Sequence, residues 1–534
     1  MSRFQRTVKN LWAPARRFFL FSALACAASV TLARTVPVTI LNTTDLHGSI
    51  RRTPGVYAEH NEGSLLQCAT LINEIRQENP NTLLVDCGDI YQGTLESYLT
   101  QGAIMATVMN AMGYDAFAVG NHEFDWGVET LGEMLDRMEA TPLAANLLVG
   151  DEAPKPFSRV LPFVIKEVDG LKVAIVGLTN PNIPKWSRTV VDYDLRVVDS
   201  RRALEKTLPL VRKERPDLMI LLVHQGIQAK DDEANQINGI CRRFGEFDLV
   251  LGGHLHWVLP GGRIGKADYA QAGSGGQGVM RTDLTFDTVE NAVVEKTFTY
   301  LPVTSSIPED PALKALVAED LATADARLNT VLGQTTTDIP YSLAIPGLCP
   351  VQQLLCKSIA RKTKAEVVLH GILSDKSIPA GDIHVSDIWK IVPYENTIGC
   401  LWLTPAEIRS IMEEACAYLG ESRYFGAWGL QYEVYPNAPK GERIRNLRAA
   451  DGSALHGRHR IKTAINSYHL AGGGGRFPSL VALADSPHTR LEMGDTRTRD
   501  MVITYIKCHR TLTIPAGTNA VVFRKEPIPW QRNK

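Results

Sequence analysis

The first half of the chain alternates short apolar runs with polar or glycine-rich tips. The runs are rich in Val, Ile and Leu without polar alternation, which is typical of strands buried on both faces of a sheet. Between them, residues 64–78 and 200–214 carry apolar residues at helical spacing. Strand–helix alternation of this kind predicts a layered α/β domain, whose ligands gather beyond the carboxyl ends of the strands.

Potential metal ligands follow five of these apolar runs. They are Asp45 and His47, then Asp89, then Asn121 with His122 and Asp125, then His224, and finally His254 with His256. Nitrogen and carboxylate ligands without sulfur suit divalent manganese, zinc, iron, cobalt or nickel, and the choice among them is left open. A set of this size exceeds the needs of one ion and suits two ions that share a carboxylate. A two-metal site can clamp a phosphoryl oxygen and activate a water.

The stretch FDLVLGGHLHW places two histidines two residues apart directly after a strand. Residues spaced i, i+2 in an extended backbone project to the same face. We therefore expect His254 and His256 to converge on one centre, and likewise Asp45 and His47. The glycines before His254 are expected to let the backbone turn tightly.

A single His or Asp at a strand end is more often a cap or a satisfied core group than a ligand. Five strand ends that all carry ligand-type residues are much harder to explain in that way. The set therefore favours a metal centre over unrelated structural residues.

Composition narrows the class of protein. The chain has 534 residues, is 44% hydrophobic and carries a formal net charge of −1. This predicts a globular protein long enough for two or more domains. A near-neutral chain has no electrostatic footprint for a nucleic-acid polymer, so we do not expect a polyanionic polymer as its partner.

Residues 1–33 are predicted to be a signal peptide. Basic residues precede the apolar run FFLFSALACAASVTLA, and Thr31-Leu32-Ala33 fits a small-residue cleavage site. The order ARRFFL also resembles a twin-arginine export signal. We expect a periplasmic or extracellular protein that begins near Arg34 and has no membrane span after cleavage. The later cysteines lack CxxC spacing, which argues against a thiolate metal site and leaves disulfide pairing open.

The ordered motifs TTDLHG, DCGD, GNHEFD, LVHQG and GGHLH resemble the calcineurin-like metallophosphoesterases, in their 5′-nucleotidase branch. The resemblance implies an N-terminal αββα catalytic domain, placed at 34–305. It also implies one ion held by Asp45, His47, Asp89 and His256, and a second held by Asp89, Asn121, His224 and His254. By the same resemblance His122 stabilises the phosphoryl oxygen or protonates the leaving oxygen, and Asp125 orients its ring.

The second half resembles the nucleotide-recognition domain of the same family. We place a linker over 306–332, interpreted as one amphipathic helix, and an α+β substrate-binding domain over 333–534. In that family two aromatic side chains sandwich the base. The matching candidates are Tyr424 or Phe425, and Tyr468, with packing in the core as the alternative for each.

Two departures from the family pattern bear on the substrate. Asp375 stands near the position of an arginine, and Gly474 stands where 5′-specific members carry an aspartate that binds the ribose diol. Both favour a 2′,3′-cyclic-nucleotide phosphodiesterase or 3′-nucleotidase over a strict 5′-nucleotidase. The alternatives are a thiosulfate-type ester at the same metal site, or a non-catalytic nucleotide-binding module.

Overall fold

A computed structural model of the chain describes residues 34–57, 63–342, 349–457, 459–514 and 521–523. The predicted signal peptide at 1–33 therefore lies outside the described residues. The strands of the first half are β1 (Thr35–Thr43), β2 (Thr82–Asp86), β3 (Ala116–Ala118), β4 (Thr141–Leu143), β5 (Leu147–Val149), β6 (Phe163–Val168), β7 (Leu171–Leu178), β8 (Leu195–Val197), β9 (Leu218–Val223), β10 (Leu249–Gly252), β11 (Val258–Ile264), β12 (Ala267–Ala272), β13 (Gly278–Asp287) and β14 (Ala292–Pro302). The helices of this half are α1 (Leu65–Glu78), α2 (Leu95–Leu99), α3 (Ala103–Met112), α4 (Val128–Arg137), α5 (Ile183–Trp186), α6 (Ser200–Lys213) and α7 (Ile237–Arg243).

Two sheets organise this half. One has the order β14-β13-β1-β2-β3-β4 and the other has the order β11-β12-β10-β9-β7-β6. β1 to β4 run parallel, as do β7, β9, β10 and β12. Parallel strands end at the same edge of a sheet, so the loops after β1, β2, β3, β9 and β10 can meet.

The apolar runs bury both faces of these strands, as their composition predicts. Ile40, Val85, Ile175 and Leu251 belong to a core cluster that contains residues of both sheets. Residues of α1, α3 and α4 form a core on the outer side of the first sheet, and residues of α6 and α7 do so on the second. The order of layers is helix, sheet, sheet, helix, which confirms the predicted αββα architecture.

The predicted helices are present and begin at side-chain caps. α1 begins after Ser64, whose hydroxyl accepts from the amide of Gln67. α6 begins after Asp199, whose carboxylate accepts from the amide of Arg202. Each cap satisfies one of the amides that the first helical turn leaves without an intrahelical partner.

The connector between the halves differs from the single helix that we expected. It contains α8 (Pro311–Leu316) and α9 (Ala318–Leu328), which are separated at Val317. Val317 has φ −114° and ψ 17°, and its side chain is buried in the first-half core beside Leu321. Burial of this side chain accompanies the break in what the apolar spacing alone predicted as a continuous helix.

The second half is α+β, as predicted. Its strands are β15 (Val331–Thr335), β16 (Val367–Gly371), β17 (Gly381–His384), β18 (Thr397–Leu403), β19 (Phe425–Trp428), β20 (Leu430–Val434), β21 (Ile444–Ala449), β22 (Ile461–Asn466), β23 (Leu491–Arg497), β24 (Thr511–Leu512) and β25 (Val521–Phe523). Its helices are α10 (Pro350–Thr363), α11 (Val385–Ile391), α12 (Pro405–Ala415), α13 (Ser467–Leu470), α14 (Pro478–Ala484) and α15 (Thr498–His509). The largest sheet among these residues has the order β19-β16-β22-β18-β23.

An aromatic and cationic contact joins the two halves. Nη1 of Arg497 donates to the hydroxyl of Tyr98 at 3.1 Å, and the guanidinium lies 5.2 Å from the centre of the Tyr98 ring. Tyr98 also packs edge-on against Trp126 of the first half and Trp389 of the second. These contacts lie where the second half meets the first.

A buried ion pair supports the same region from within the second half. Arg499 and Glu395 are each about 1% exposed, and Nη1 of Arg499 donates to Glu395. Nε of Arg499 donates to the carbonyl of Val392 at 3.0 Å, and its guanidinium lies 3.2 Å from the Trp389 ring centre. Glu395 opens onto the cleft between the halves, so this pair links the core of the second half to the wall of the cleft.

We expect Arg499→Ala to lower the free energy of unfolding by about 3–5 kcal/mol, because it removes the buried partner of the Glu395 carboxylate and leaves that carboxylate paired only with Arg497. Urea unfolding followed by circular dichroism measures this. Arg490→Ala is the control, since Arg490 pairs with Glu492 at the surface and its loss should cost less than about 1 kcal/mol. Equal decreases in the free energy of unfolding for the two variants would contradict a stabilising role for the buried Arg499–Glu395 pair.

Candidate metal centre and active site

The strand-end residues gather into two groups at the carboxyl edge of the two sheets. Asp45, His47 and His256 form the first group, and Asp89, His224 and His254 form the second. In each group one possible ligand atom per residue lies within 4.8 Å of the others. Both groups therefore have the donor types and the spacing that a transition-metal or zinc ion requires.

Hydrogen bonds to the backbone orient two of the imidazoles. Nδ1 of His47 lies 2.9 Å from the carbonyl oxygen of Gln92, and Nδ1 of His224 lies 2.7 Å from that of Cys87. A carbonyl oxygen can only accept, so Nδ1 carries the proton in each ring and Nε2 presents a lone pair. Ligating histidines commonly have this outer hydrogen bond, which holds the ring for the metal.

Asp89 lies between the two groups. Its Oδ2 is 3.0 Å from Nε2 of His224 and 4.0 Å from Nε2 of His47, and it has no hydrogen-bond partner among the described residues. Its Oδ1 accepts from the amide of His122 at 2.8 Å. A fully buried carboxylate oxygen that faces imidazole lone pairs is unfavourable unless a cation lies there, so the residues fit the ions that the resemblance implies.

The fourth donor of the second group is an amide. Oδ1 of Asn121 lies 3.1 Å from Nε2 of His224. In the first group Nε2 of His47 lies 3.1 Å from Nε2 of His256, and Nε2 of His256 lies 3.6 Å from Oδ1 of Asp45. Every ligand predicted from the sequence is thus present at one of the two groups.

The extended backbone that we expected at these residues is not observed. Asp45, His47, Asp89, His254 and His256 do not have extended backbones, since all five have φ between 48° and 74°. Asp45 and His47 still converge on one group, as expected, whereas His254 joins the second group and His256 joins the first. Non-glycine residues in this region cost energy, and such strain concentrates at functional sites.

The glycines before His254 serve close approach more than turning. A Cβ on Gly253 would lie 2.3 Å from Oγ1 of Thr44 and 2.9 Å from Oδ2 of Asp45. A Cβ on Gly252 would lie 2.0 Å from the hydroxyl of Tyr269. Only glycine lets the His254 loop lie against the Asp45 loop, where the amide of His254 donates to both Asp45 oxygens at 3.0 Å.

Glu123 is a positioning residue that sequence reasoning did not single out. Its carboxylate is buried and accepts from the amides of Asp89 at 2.9 Å, Ile90 at 2.6 Å and Gly120 at 2.7 Å. It therefore ties the loop that carries Asp89 to the loop that carries Asn121. Its place inside the GNHEFD motif was the available signal, but the sequence does not show that its side chain points inward.

Burial and mutual charge perturb the acids and bases of the site. Burial raises the pKa of Asp45 to about 7, with a further rise from Asp89 and an opposing effect from His224. Burial opposes ionisation of Asp89, but the imidazoles of His224 and His122 hold its pKa well below the usual range. Burial lowers the pKa of His224, yet Asp89 and Asp45 outweigh it and raise that pKa to about 9. Without a cation, the cluster would bind a proton where a metal would otherwise sit.

His122 and Asp125 lie at the edge of the metal groups and face the cleft. Nδ1 of His122 is 2.7 Å from Oδ2 of Asp125, and the His122 ring centre is 5.3 Å from that of His47. Burial lowers the pKa of His122, but Asp125 and Asp89 more than offset this and raise it to about 10. A protonated imidazole in this position can stabilise a phosphoryl oxygen or donate a proton.

A cavity of about 550 Å³, here called the main cavity, opens from His122 and Asp125 into the second half. Tyr468 is 40% exposed and lines it, so its ring is accessible from the cavity. Tyr424 and Phe425 border the same cavity but are only 4% and 1% exposed. Phe425 packs on Phe477 at 4.5 Å, so these two candidates lie mainly in the core.

The main cavity also contains cations that sequence reasoning missed. Arg476 lies 5.5 Å from the ring centre of Tyr468, and Arg423 lines the cavity while pairing with Glu421. Asp375 lines the cavity and pairs with Lys376 at 2.8 Å. A Cβ on Gly474 would lie 3.3 Å from the Tyr468 hydroxyl, which places this glycine beside the exposed aromatic ring.

Comparisons with known proteins agree with this geometry. The sequence model described as calcineurin-like phosphoesterase matches residues 38–258, and the model described as 5′-nucleotidase, C-terminal domain matches residues 331–482. The chain belongs to the calcineurin-like phosphoesterases that carry a 5′-nucleotidase C-terminal domain. The resemblance seen in the motifs is therefore confirmed, and membership supports a hydrolase that acts on phosphate esters.

The chain is similar over most of its length to relatives of this family. It is 26% identical to a 5′-nucleotidase of Diplobatis ommata, over 94% of this chain and 92% of that protein. It is 25% identical to the trifunctional nucleotide phosphoesterase protein YfkN of Bacillus subtilis, over 76% of this chain and 30% of that protein. A solved structure of a putative 5′-nucleotidase from Staphylococcus aureus superposes with a TM-score of 0.78 at 20% identity, covering 92% of this chain and 100% of that one, which shows a shared fold.

Two further expectations can be compared with the structure. Among the described residues, no helix combines the length and apolarity needed to span a membrane. The eight described cysteines are all free, and of these only Cys508 is exposed. The possibility of disulfides that the sequence left open is thus not realised in the described part of the chain.

We expect Asp89→Ala to lose nearly all bound metal, because the carboxylate lies within reach of both groups and its removal leaves two cations to repel each other. His256→Ala is the matched control, since this residue belongs to one group and should cost about one ion. Elemental analysis after dialysis measures both. Two tightly bound ions in Asp89→Ala would rule out a shared carboxylate.

Proposed function

We propose that the chain is a two-metal phosphohydrolase whose substrates are nucleotides. The observation that carries this proposal is the pair of candidate ligand groups beside a cavity that contains His122 and the exposed ring of Tyr468, with Asp89 of the second group 4.0 Å from His47 of the first. The comparisons support the same class, since relatives named 5′-nucleotidase and nucleotide phosphoesterase match most of the chain.

In this proposal Asp45, His47, Asp89 and His256 would hold the first ion, and Asp89, Asn121, His224 and His254 would hold the second. When bound, two divalent ions would polarise the phosphoryl group and lower the pKa of a water near it. The identity of the metals is open among manganese, zinc, iron, cobalt and nickel, because the donor set contains nitrogen and oxygen without sulfur.

His122 acts on the ester oxygens from the cleft side of the metal groups. Its Nδ1 proton is held by Asp125, which leaves Nε2 to hydrogen-bond to a phosphoryl oxygen or to give a proton to the leaving oxygen. Glu123 acts through the backbone by fixing the loops of Asp89 and Asn121.

Tyr468 binds the base by stacking. It is the exposed member of the three aromatic candidates, and base–aromatic stacking contributes on the order of 1–3 kcal/mol. Tyr424 and Phe425 would form the floor of the main cavity, where their burial limits stacking. The absent diol carboxylate at Gly474 favours nucleotides whose 2′ and 3′ oxygens carry phosphate.

The place of action proposed here is outside the cytoplasm. This rests on the signal-like residues 1–33, including the ARRFFL order, which lie outside the described residues. N-terminal sequencing of the protein recovered from a periplasmic or secreted fraction would test it, with a first residue near Arg34 expected.

We expect His122→Ala to keep its metal content and to lose turnover roughly 100-fold or more, as for removal of an acid or electrostatic stabiliser. Steady-state kinetics on p-nitrophenyl phosphate and elemental analysis of the same sample measure the two quantities. Parallel loss of metal would make His122 a ligand instead.

We expect 2′,3′-cyclic AMP to be hydrolysed at least as well as 5′-AMP. A missing charged hydrogen bond to the diol removes about 1.5–3 kcal/mol, enough to shift preference about 10- to 150-fold. The measurement is kcat/KM for 2′,3′-cyclic AMP, 3′-AMP, 5′-AMP and UDP-glucose, with a metal-free sample as the blank.

Two variants test whether the residue at position 474 sets the preference between 2′,3′-cyclic AMP and 5′-AMP. Gly474→Asp should raise the relative use of 5′-AMP, because its carboxylate would stand beside Tyr468. Gly475→Asp is the matched control, since φ is also positive there but no atom lies within 4 Å of its Cβ position. A wild type that prefers 5′-AMP tenfold or more would exclude the cyclic-nucleotide assignment.

A further inference from the structure

Two cavities, and not one, meet at His122. Besides the main cavity, a second space of about 360 Å³, here called the side cavity, is lined by His122 and Asp125. The two cavities also share Glu395, Asn396 and Tyr468 as walls. The side cavity reaches Asn121 and His254, so it borders the second ligand group directly.

The side cavity combines an apolar set of walls with a polar set. Its apolar walls are Phe124, Ile183, Trp186, Leu470, Ala471 and Met493, and its other polar walls include Lys185, Ser187, Thr397 and Ser467. Lys185 is paired with Glu233, so its charge is compensated outside the cavity lining. Met493 is 46% exposed and Tyr468 is 40% exposed, which is unusual for large apolar side chains that stand close together in a cleft. A volume near 360 Å³ is in the range of small-molecule sites.

Its walls come from both halves of the chain. Trp186 lies in α5 of the first half and stacks on the His254 ring, with centres 5.6 Å apart and planes 29° apart. Met493 lies in β23 of the second half. The arrangement therefore places a flat aromatic wall and a flexible thioether on the same space, a combination suited to a planar apolar group.

The number of cavities beside the metal groups limits how many organic substituents on the phosphorus atom can be accommodated. A phosphate monoester has one organic substituent, and the main cavity accommodates it. An acyclic phosphodiester has two, and its phosphorus can sit at the metal groups only if the second substituent also finds space.

We propose that the side cavity is a subsite for the second ester group of acyclic phosphodiesters, and that this group is a planar apolar one such as a nucleobase or an aryl ring. The inference rests on the proposed phosphohydrolase function and names a further substrate class for the same site. In the reaction, a water oxygen forms a bond to phosphorus and the bond to one ester oxygen breaks. That oxygen leaves with a proton as an alcohol or phenol, and a phosphate monoester remains.

Thymidine 5′-(p-nitrophenyl) phosphate tests the inference, with p-nitrophenyl phosphate as the monoester reference. Both release p-nitrophenolate, so the same signal reports kcat/KM for each with the metal-loaded enzyme. We expect the wild type to hydrolyse the diester. Met493→Asp should lower the ratio of diester to monoester kcat/KM by about tenfold or more, because it puts a charge against the aryl group.

Two controls isolate the subsite. Met493→Leu keeps an apolar wall and should hold the ratio within about twofold of wild type. Leu210→Asp places the same charge at an exposed position of α6 that lines neither cavity, and should leave the ratio unchanged. The Kd of the diester for metal-loaded His122→Ala, with and without Met493→Asp, gives a readout besides turnover, and weaker binding in the double variant is expected.

The outcomes separate the two proposals. Hydrolysis of nucleotides and of the monoester without hydrolysis of the diester would overturn the subsite and leave the proposed function intact. The subsite would also be overturned if the diester is hydrolysed but Met493→Asp leaves the ratio of diester to monoester kcat/KM unchanged. Absence of metal-dependent hydrolysis of every ester would instead overturn the proposed function.

Discussion

The buried carboxylate of Asp89 is the feature on which the rest of the site depends. Its Oδ2 faces imidazole nitrogens of both ligand groups, at 3.0 Å and 4.0 Å, and its backbone amide is held by Glu123. Because burying an uncompensated carboxylate is costly, the surrounding loops are stable together only as a binding site for positive charge. Hydrogen bonds join the loops after β1, β2 and β3 to one another, so these loops connect the binding site to the first sheet.

The αββα layering stabilises the strained loops that carry these residues. Five ligand residues adopt left-handed backbones, and glycines allow two loops to approach more closely than any side chain would permit. Strain of this kind persists only where the surrounding structure determines it. Here the strands beneath the loops are buried on both faces, so the loop ends start from rigid positions.

In the proposed function the second half would supply selectivity, and all the candidate metal ligands among the described residues lie in the first half. Arg497, Arg499 and Glu395 connect its core to the cleft, and Tyr98 anchors it to the first half. In the proposed function, chemistry and selectivity would reside on different halves, which meet at the cleft beside His122. This division explains how one metal centre can serve different esters when the cavities around it change.

The sequence alone determined the strand pattern, the layered class and the strand-end positions of the candidate ligands, because these depend on residue type and short-range periodicity. The i, i+2 spacing did not show that His254 and His256 belong to different groups, since left-handed φ values at both residues redirect side chains that an extended backbone would align. Nor did the sequence show that Val317 would interrupt the connector helix, that Glu123 would point inward, or that Tyr468 would be exposed while Phe425 is buried. Each of these depends on atoms contributed by distant parts of the chain, and only the tertiary structure decides which of those atoms are neighbours.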